Sequence, residues 1–294
     1  MISVLMTSYN YVVYIEKAIQ SVLTQTFGDL ELLVIDDGSQ DGSLELAQSF
    51  AKKDPRVRVI RHSDGGNHGL PETLKLGIAN AGGEWIAFLE SDDIWEPECL
   101  EKRLKRLQYT QAKAVFNAIR PLIMPGADTR WFDSYVPRVM REHTYRIKRG
   151  ELVQLSSSSL IENKIPTFSC VMLHAELLRQ CSLDAPVPRW LDWWIWTQVA
   201  QRTAFSFVPE QLTVWRLHAG SYNHRISLLQ YIKDNRRLWN GFRRLRTQYW
   251  ETGKHWETLF LSCPFWVRLL ARFYLIAYQS GVRETLRCIQ NRIR

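Results

Sequence analysis

Short apolar runs alternate with segments of helical hydrophobic spacing between residues 3 and 89, and this alternation constrains the fold more than any other feature. Apolar runs bounded by polar turns are typical of buried strands, whereas apolar residues three and four positions apart are typical of amphipathic helices. The alternation predicts an α/β fold, a mostly parallel sheet with flanking helices. The predicted strands are Ser3–Met6, Leu30–Ile35, Val57–Ile60 and Trp85–Leu89.

Polar side chains follow three of these predicted strands where each strand ends. Ligands of parallel α/β sheets bind at the carboxyl ends of the strands, so we expect these side chains to meet at one edge of the sheet. Each group alone also has an ordinary interpretation as a turn. The residues are Thr7 and Tyr9 after the first strand, Asp36 and Asp37 after the second, and Asp92 and Asp93 after the fourth.

Three acids, Glu90, Asp92 and Asp93, lie within four positions directly after the fourth predicted strand. Hard divalent cations prefer oxygen ligands, and Mg²⁺ is commonly shared between one or two carboxylates and substrate phosphates. We therefore expect Asp93 and Asp92 to hold Mg²⁺ or Mn²⁺. The alternative is helix capping, because Asp93 and Glu96 match a capping box and Pro97 suits the first turn of a helix.

Asp192 lies in a segment rich in tryptophan and is a candidate general base. A carboxylate that takes the proton of a sugar hydroxyl accelerates its attack by ~10²–10⁴-fold. Neighbouring indoles would desolvate this carboxylate and raise its pKa. Trp190 and Trp193 are candidates for stacking on a sugar acceptor. The alternative is a helix N-cap with an aromatic core face.

Arg216 and His218 form a compact polar cluster near the middle of the second half of the chain. An arginine can bind diphosphate, and a histidine can complete a metal shell. A structural role in the surface or core is the alternative for both residues.

The cysteines and the N-terminus favour a cytoplasmic protein. Five scattered cysteines without a CxxC pair fit neither a disulfide framework nor a zinc site. The N-terminus lacks the basic residues and the apolar length of a signal peptide. No window of about 18 uncharged apolar residues predicts a membrane-spanning helix.

The positive charge of the chain is concentrated after residue 220. The net charge is +8, and the segment after residue 220 holds 14 Lys and Arg against 4 Asp and Glu. We expect helices over residues 226–250 and 256–293. Aromatic residues beside arginines in the second of these suit an interfacial helix on anionic lipid at the inner face of the membrane. The alternative is a helical cap on the rest of the chain.

Several motifs occur in the order found in family 2 glycosyltransferases, and the chain resembles this family of inverting enzymes with the GT-A fold. The resemblance covers residues 1–221 and is most specific over the first hundred. The motifs are Val4–Asn10, Ser21–Phe27, Val34–Ser39, Gly83–Leu89, Leu191–Trp196 and Trp215–His218.

The resemblance implies roles for individual residues. Thr7, Tyr9 and Asp37 would bind the nucleotide base, with Asp36 near them. Asp92 and Asp93 would contact the ribose and the metal-bound diphosphate, and Asp192 would be the catalytic base. Two positions depart from the family pattern. Glu90 and Leu191 stand where many members have acidic residues.

The resemblance also implies a domain organisation and a function. We expect a GT-A domain over residues 1–221, with a nucleotide-sugar half over 1–110 and an acceptor half over 111–221. Within the acceptor half, residues 120–165 are poorly periodic and predict a loop-rich region with some strand. Residues 222–294 would form a basic, aromatic helical region. The expected function is transfer of a sugar from a nucleotide-diphosphate donor, with UDP as the default nucleotide. The acceptor would be a glycan, a lipid-linked glycan or a small molecule, as in polysaccharide or cell-envelope biosynthesis, and no nucleic acid is expected as a partner.

Two other functions are compatible with parts of the sequence. A sugar-phosphate nucleotidyltransferase also uses an α/β domain and acidic metal ligands, but residues 7–14 lack the glycine-rich triphosphate loop of such enzymes. A non-catalytic adaptor at the membrane surface with a relict GT-A fold would use the basic C-terminal region. Metal-dependent hydrolysis of a donor would distinguish an enzyme from an adaptor.

Overall fold

The computed structural model describes residues 1–148, 152–155, 158–160, 162–220 and 228–245, with the single positions 264, 267 and 270. No helix within this described part has the length and apolar character needed to cross a membrane. The helix predicted over residues 256–293 lies outside the described residues apart from those three positions.

The described residues form an eight-stranded sheet in the order β3-β2-β1-β4-β7-β6-β8-β5. β1 pairs in parallel with β2 and β4, and β2 pairs in parallel with β3. β7 is antiparallel to β4 and β6, and β5 is antiparallel to β8. The strands are β1 (Ile2–Ser8), β2 (Leu30–Asp36), β3 (Val57–Arg61), β4 (Trp85–Phe88), β5 (Ile94–Trp95), β6 (Ala114–Ile123), β7 (Val171–His174) and β8 (Ser206–Leu217).

Helices connect the parallel strands, which confirms the α/β prediction. In β2 every residue except Glu31 is buried, because a parallel strand covered on both faces is apolar on both sides. The helices are α1 (Val12–Leu23), α2 (Ser43–Ala51), α3 (Leu70–Asn80), α4 (Cys99–Thr110), α5 (Arg130–Lys148), α6 (Ala175–Arg179), α7 (Leu191–Arg202) and α8 (Leu228–Arg244).

The prediction of a loop-rich region between residues 120 and 165 is wrong for α5, a helix of 19 residues. Pro137 lies inside this helix and Arg138 is buried, so the sequence around them does not match a simple amphipathic pattern. Helical spacing is nevertheless present among the buried apolar residues Phe132, Tyr135, Val136 and Val139.

The chain divides into two compact units, each built from three stretches. Unit 1 contains nearly all of the sheet, and unit 2 contains α5, α7 and α8. Unit 1 comprises Met1–Leu122, Thr167–Asp184 and Ala204–Arg216, and unit 2 comprises the described parts of Ile123–Pro166, Ala185–Thr203 and Leu217–Arg294.

A buried arginine organises the core of unit 1 near the loop that follows β4. We call this loop, which carries Glu90, Asp92 and Asp93, the acidic loop. The guanidinium of Arg103 donates to Asn117 Oδ1 and to the carbonyl of Ser169, each over 2.7 Å, and to Thr213 Oγ1 over 3.2 Å. Its Cζ atom lies 4.8 Å from the centre of the Trp95 ring. Arg103 therefore joins α4 to β6, β8 and the segment that leads into β7.

Candidate functional site

The carboxyl ends of β1, β2 and β4 lie side by side in unit 1. Ser8 is opposite Asp36 in the pairing of β1 with β2, and Leu5 is opposite Phe88 in the pairing with β4. A small, open pocket lies at this edge and is lined by Thr7 and Glu90 among apolar side chains such as Leu70, Leu74 and Phe168. The register thus brings the polar residues that follow these strands to one edge, as the alternation predicts.

Asp36 and Asp37 hold the turn after β2 and the loop before α3. Asp36 is buried, and its Oδ2 accepts from the backbone N–H groups of Gly38 and Ser39 over 3.2 and 3.1 Å. Asp37 accepts from the backbone N–H of His68 over 2.8 Å and of Gly69 over 3.0 Å. Both carboxylates therefore fix backbone at the edge of the sheet.

Gly38 is required for the close approach of these two loops. Its φ of +82° is in the left-handed region that favours glycine. A Cβ at this position would lie 2.8 Å from the backbone carbon of Gly66. The turn after β2 can therefore lie against the loop before α3 only without a side chain here.

Thr7 and Tyr9 differ in exposure. Thr7 is half-buried at the end of β1, whereas Tyr9 is 46% exposed and presents its ring to solvent. Asn10, which follows them, adopts a φ of 58° and binds the loop after β2 through its backbone N–H and its side-chain oxygen. An exposed ring next to an anchored turn is suited to contact a planar base.

The acidic loop after β4 is tied down at both ends. Thr167 Oγ1 donates to Glu90 Oε2 over 2.6 Å, and the backbone N–H of Glu90 donates to Ser169 Oγ over 3.0 Å. The backbone N–H of Arg216 donates to Asp93 Oδ1 over 3.0 Å. Asp93 is fully buried, while Asp92 keeps partial exposure.

The three acids of this loop repel one another. Burial raises the pKa of Asp93 well above its ordinary value, and the negative charges of Asp92 and Glu90 raise that pKa further. Oδ2 of Asp93 is buried and has no hydrogen-bond partner among the described residues. Crowded carboxylates with an unsatisfied oxygen fit a divalent cation, which would relieve this repulsion.

No group of three or more His, Cys, Asp or Glu side chains in the described ranges is arranged to hold a metal ion by itself. A cation at the acidic loop would therefore draw part of its shell from elsewhere. This agrees with the habit of Mg²⁺, which is usually shared between carboxylates, water and substrate phosphates.

Arg216 is a clamp between β8, the acidic loop and α1. Its Nη2 donates to the carbonyl of Tyr14 over 3.0 Å and to the carbonyl of Asp93 over 3.4 Å, and its Cζ lies 5.2 Å from the centre of the Tyr14 ring. The side chain is 3% exposed, and burial lowers the pKa of its guanidinium. A direct contact with diphosphate, which the sequence suggests for Arg216, would require this side chain to leave these partners.

In unit 2, Asp192 lies in the first turn of α7 and is half-buried. Asn163 Nδ2 donates to Asp192 Oδ2 over 2.8 Å. Burial raises the pKa of Asp192 to about 7, and the hydrogen bonds from the backbone N–H of Trp193 and from Asn163 oppose this rise. A carboxyl group with a pKa near neutrality is suited to take up a proton at physiological pH.

The two predicted stacking tryptophans lie in different environments. Trp193 is 3% exposed, and its Nε1 donates to the carbonyl of Ser159, so its ring belongs to the core of unit 2. Trp190 is partly exposed, with its ring centre 5.7 Å from that of Trp193. Trp190 is therefore the better placed of the two to contact an acceptor. His218, also in unit 2, is buried.

Sequence reasoning missed three residues that support the predicted site: Asn163 beside Asp192, Thr167 beside Glu90, and Arg103 beneath the acidic loop. None of them stands in a recognisable motif. Only Arg103 had a signal in the sequence. It lies in the strongly amphipathic helix α4, and an arginine that such a helix buries requires partners.

Solved structures of other proteins share this fold. The chain superposes on TarS 1-349 from S. aureus, solved in complex with UDP-GlcNAc, with a TM-score of 0.66 and 16% identity, covering 99% of this chain and 79% of that one. It also superposes on the mannosyltransferase PcManGT from Pyrobaculum calidifontis, solved with GDP-Man and Mn²⁺, with a TM-score of 0.55 and 16% identity, covering 98% and 78%. These similarities define a fold of the GT-A class.

The chain belongs to Glycosyl transferase family 2, because the sequence model of this family matches residues 3–179. An uncharacterized glycosyltransferase of Haemophilus influenzae is 27% identical over 232 residues, covering 76% of this chain and 69% of the relative. TuaG of Bacillus subtilis, which is named for teichuronic acid biosynthesis, is 36% identical over 105 residues, covering 36% and 41%. In three other bacterial relatives the match spans only 29 to 35% of the relative's own length. The expected family and fold class are thus confirmed.

Proposed function

We propose that this chain transfers a sugar from a nucleotide-diphosphate donor to an acceptor hydroxyl, with inversion at the anomeric carbon. The observation that carries the proposal is the shared sheet edge in unit 1. Thr7, Asp36 and the acidic loop lie there on neighbouring strands, within the residues that match the family. UDP is the favoured donor nucleotide, since TarS was solved with UDP-GlcNAc.

The donor is recognised at the carboxyl edge of the sheet. Tyr9 offers an exposed aromatic face to the base, and Thr7 offers a hydroxyl at the mouth of the pocket. Asp37 fixes the loop before α3 through its two carboxylate oxygens. A carboxylate oxygen of Asp37 that faces the base would also accept a hydrogen bond from a base N–H. Asp92, which is partly exposed whereas Asp93 is buried, is the one suited to the ribose and diphosphate.

A divalent cation, Mg²⁺ or Mn²⁺, would be held by Asp92 and Asp93. When bound, such an ion stabilises the negative charge that develops on the leaving diphosphate. PcManGT was solved with Mn²⁺, which supports this assignment in a protein of the same fold. Arg216 holds the acidic loop in place from β8, so that these carboxylates keep their positions.

Asp192 acts as the general base. Its carboxylate takes the proton of the acceptor hydroxyl while the hydroxyl oxygen forms a bond to the anomeric carbon. The bond from that carbon to the diphosphate breaks on the opposite face, and the nucleoside diphosphate leaves with the electron pair. The aromatic surroundings of Asp192 make it basic enough to accept this proton near neutral pH.

The acceptor is a sugar hydroxyl of a glycan or of a lipid-linked glycan. The partly exposed ring of Trp190 near Asp192 supports a carbohydrate, because sugars stack on indoles. The name of TuaG supports a place in the synthesis of cell-envelope polysaccharide. Family membership favours this sugar transfer over the nucleotidyl transfer considered as an alternative.

A contact with an anionic membrane surface is a second proposal for the C-terminal region. Residues Lys233, Arg236 and Arg237 on α8 are exposed, and Asp234, the one acid in this helix, is buried. The exposed charged residues of α8 are therefore all cationic, which suits a lipid-linked acceptor at the inner face of the membrane.

A thermal-shift screen of UDP-, dTDP- and GDP-sugars with and without Mn²⁺ tests the donor proposal, since a ligand of the folded state raises the melting temperature. We expect a UDP-sugar to give the largest shift, and only with the cation. Release of UDP on addition of a carbohydrate acceptor, and its loss in Asp192→Asn with donor binding retained, would complete the test. Absence of both binding and nucleotide release would favour the adaptor alternative.

A further inference from the structure

Asn163 holds the carboxylate of Asp192 and is itself held at two further points. Its Nδ2 donates to Asp192 Oδ2 over 2.8 Å, and its Oδ1 accepts from the backbone N–H of Ile165 over 3.2 Å. Its carbonyl accepts from the hydroxyl of Tyr135 on α5. The bond from Ile165 fixes which end of the amide faces Asp192, because an oxygen that accepts from this N–H leaves the NH₂ group as the donor.

The residues on either side of Asn163 are anchored to α5 by buried ion pairs. Arg138 makes two hydrogen bonds to the carboxylate of Glu162, and both side chains are 7% exposed. Lys164 is 4% exposed and its Nζ lies 3.0 Å from Glu142 and 3.2 Å from Glu162. We call Glu162, Asn163 and Lys164 the 162–164 segment.

The side chains of the 162–164 segment thus contact two different helices, α5 and α7. Those of Glu162 and Lys164 bind charged partners on α5 or each other, and the one between them binds Asp192 on α7. His143, also on α5, lies with its Nε2 2.8 Å from the carbonyl of Lys164. The backbone around Asn163 is therefore fixed from one side while its amide is directed to the other.

Buried ion pairs of this kind are poor devices for stability alone. Removing charged groups from water costs several kcal/mol per ion, and well-packed apolar side chains are often as stable or more so. Their attested use is to specify one arrangement among alternatives. A cluster of four charged side chains on either side of Asn163 is consistent with a need to fix the position of this residue.

We propose that Asn163 is the positioning residue of Asp192, and that the ion pairs of the 162–164 segment with α5 hold it for this task. This inference rests on the proposed role of Asp192 as the base. The amide binds Oδ2 of the carboxylate, and the other oxygen, Oδ1, is the one that accepts the proton of the acceptor hydroxyl in this arrangement. The amide is neutral, so it stabilises the charged carboxylate without the strong lowering of its pKa that a neighbouring cation would cause.

The charged groups on the elements around Asp192 are already engaged elsewhere. Arg189, just before α7, has its Nε 3.5 Å from Asp234 Oδ2 on α8. Glu162 and Lys164 pair with each other and with α5. The amide of Asn163 is therefore the side-chain group that tunes the carboxylate of Asp192 directly.

The test is the pH dependence of transfer in Asn163→Ala. Loss of a hydrogen bond to a charged group is worth roughly 1.5–3 kcal/mol. We therefore expect kcat to fall about tenfold to a hundredfold, with the KM for the donor unchanged. The acidic limb of the pH profile should move to higher pH, because the carboxylate loses a donor that favours its charged form.

Asn235→Ala is the matched control. Asn235 is also a buried asparagine of unit 2, and its Nδ2 donates to the carbonyl of Tyr231 over 2.8 Å. This variant should lower the melting temperature while leaving the acidic limb in place. If both variants changed the limb equally, Asn163 would have only a structural role.

Tyr135→Phe keeps the inference testable if Asn163→Ala does not fold. This change removes only the hydroxyl that binds the carbonyl of Asn163, so we expect a smaller shift of the acidic limb in the same direction. A wild-type profile in the folded variants, with Asp192→Asn inactive, would overturn the positioning role alone. Wild-type turnover in Asp192→Asn would instead overturn the proposed base.

Discussion

The backbone N–H of Arg216 donates to Oδ1 of Asp93 over 3.0 Å, so the last strand of the sheet fixes a carboxylate 123 residues away in sequence. The same arginine reaches the carbonyl of Asp93 with its side chain. The acidic loop is thus held by both the main chain and the side chain of one residue. This relationship allows the structural role of Asp93 to be separated from its proposed role in metal binding.

Asp93→Asn and Asp93→Ala are expected to differ in stability but not in donor binding. The amide oxygen of asparagine can still accept from Arg216, whereas alanine leaves that buried N–H unsatisfied at a cost of about 1–3 kcal/mol. Both variants lose the negative charge and should lose the dependence of donor affinity on Mn²⁺. Thermal unfolding and calorimetric titration measure the two effects. Unchanged Mn²⁺-dependent affinity in both variants would contradict the assignment of Asp93 as a ligand.

Asp192→Asn should make the protein more stable at pH 8. The pKa of Asp192 is raised by burial from its ordinary value of 3.8 to about 7, so its charged form destabilises the fold. This destabilisation is complete above pH 7 and disappears as the pH falls below about 4. We expect a gain of roughly 1 kcal/mol, or ~2–4 °C, after allowing for partial exposure.

The pH series of melting temperatures provides the check on this expectation. The difference between Asp192→Asn and the wild type should shrink steadily from pH 8 to pH 4. A constant difference across that range would mean that packing or hydrogen bonding, and not the buried charge, separates the two proteins.

Arg103→Met should be strongly destabilising. The guanidinium of Arg103 binds oxygen atoms of Asn117, Ser169 and Thr213, all buried. Methionine fills a similar volume but removes the charged donor from all three acceptors, so we expect a loss of about 3–5 kcal/mol in the free energy of unfolding by urea.

Lys102→Met is the neighbouring control for Arg103→Met. Lys102 lies on the same helix, and its Nζ is 2.9 Å from Glu98 in an exposed pair. Exposed pairs contribute ~0–1 kcal/mol, so this variant should unfold close to the wild type. Similar losses in the two variants would mean that Arg103 is not the organising residue of its core.

Neutralising three of the exposed cations of α8 should weaken binding to anionic vesicles. Each Lys or Arg near an anionic surface contributes about 1 kcal/mol, so replacing Lys233, Arg236 and Arg237 by glutamine should lower the partition coefficient roughly a hundredfold. Co-sedimentation with vesicles containing phosphatidylserine measures this change. The wild type should also lose binding as the salt concentration rises.

Replacing the exposed residues Lys52, Lys53 and Lys113 of unit 1 by glutamine gives a control of equal charge change. If this variant lost as much vesicle binding as the α8 variant, net charge and not the face of α8 would govern the interaction. Equal binding by all three proteins would remove the membrane proposal.

The parallel part of the sheet could be predicted from sequence because its signals are local. Each strand of the first hundred residues is a short apolar run, and each polar cluster follows directly on a strand. The register of β1 with β2 and β4 then brings Thr7, Asp36 and the acidic loop together without further information. Chain direction alone determines this convergence at the carboxyl ends.

The supports of the site could not be predicted because they join residues that are distant in sequence. Thr167 and Glu90 are 77 positions apart, and Asn163 and Asp192 are 29 apart. A single polar residue carries no pattern that names its partner. Trp193 shows a related difficulty, since the sequence beside a candidate base does not decide between a stacking ring and a core ring, and the structure places this ring in the core of unit 2.

The interleaving of the two units limits how this protein can be shortened. Unit 1 takes residues from three separate stretches, the last of which ends at Arg216, whereas the match to the family ends at residue 179. A fragment cut at that match would lack β8 and with it the donor that restrains Asp93. Dissection of donor binding is therefore better done by point substitution in the whole chain than by truncation.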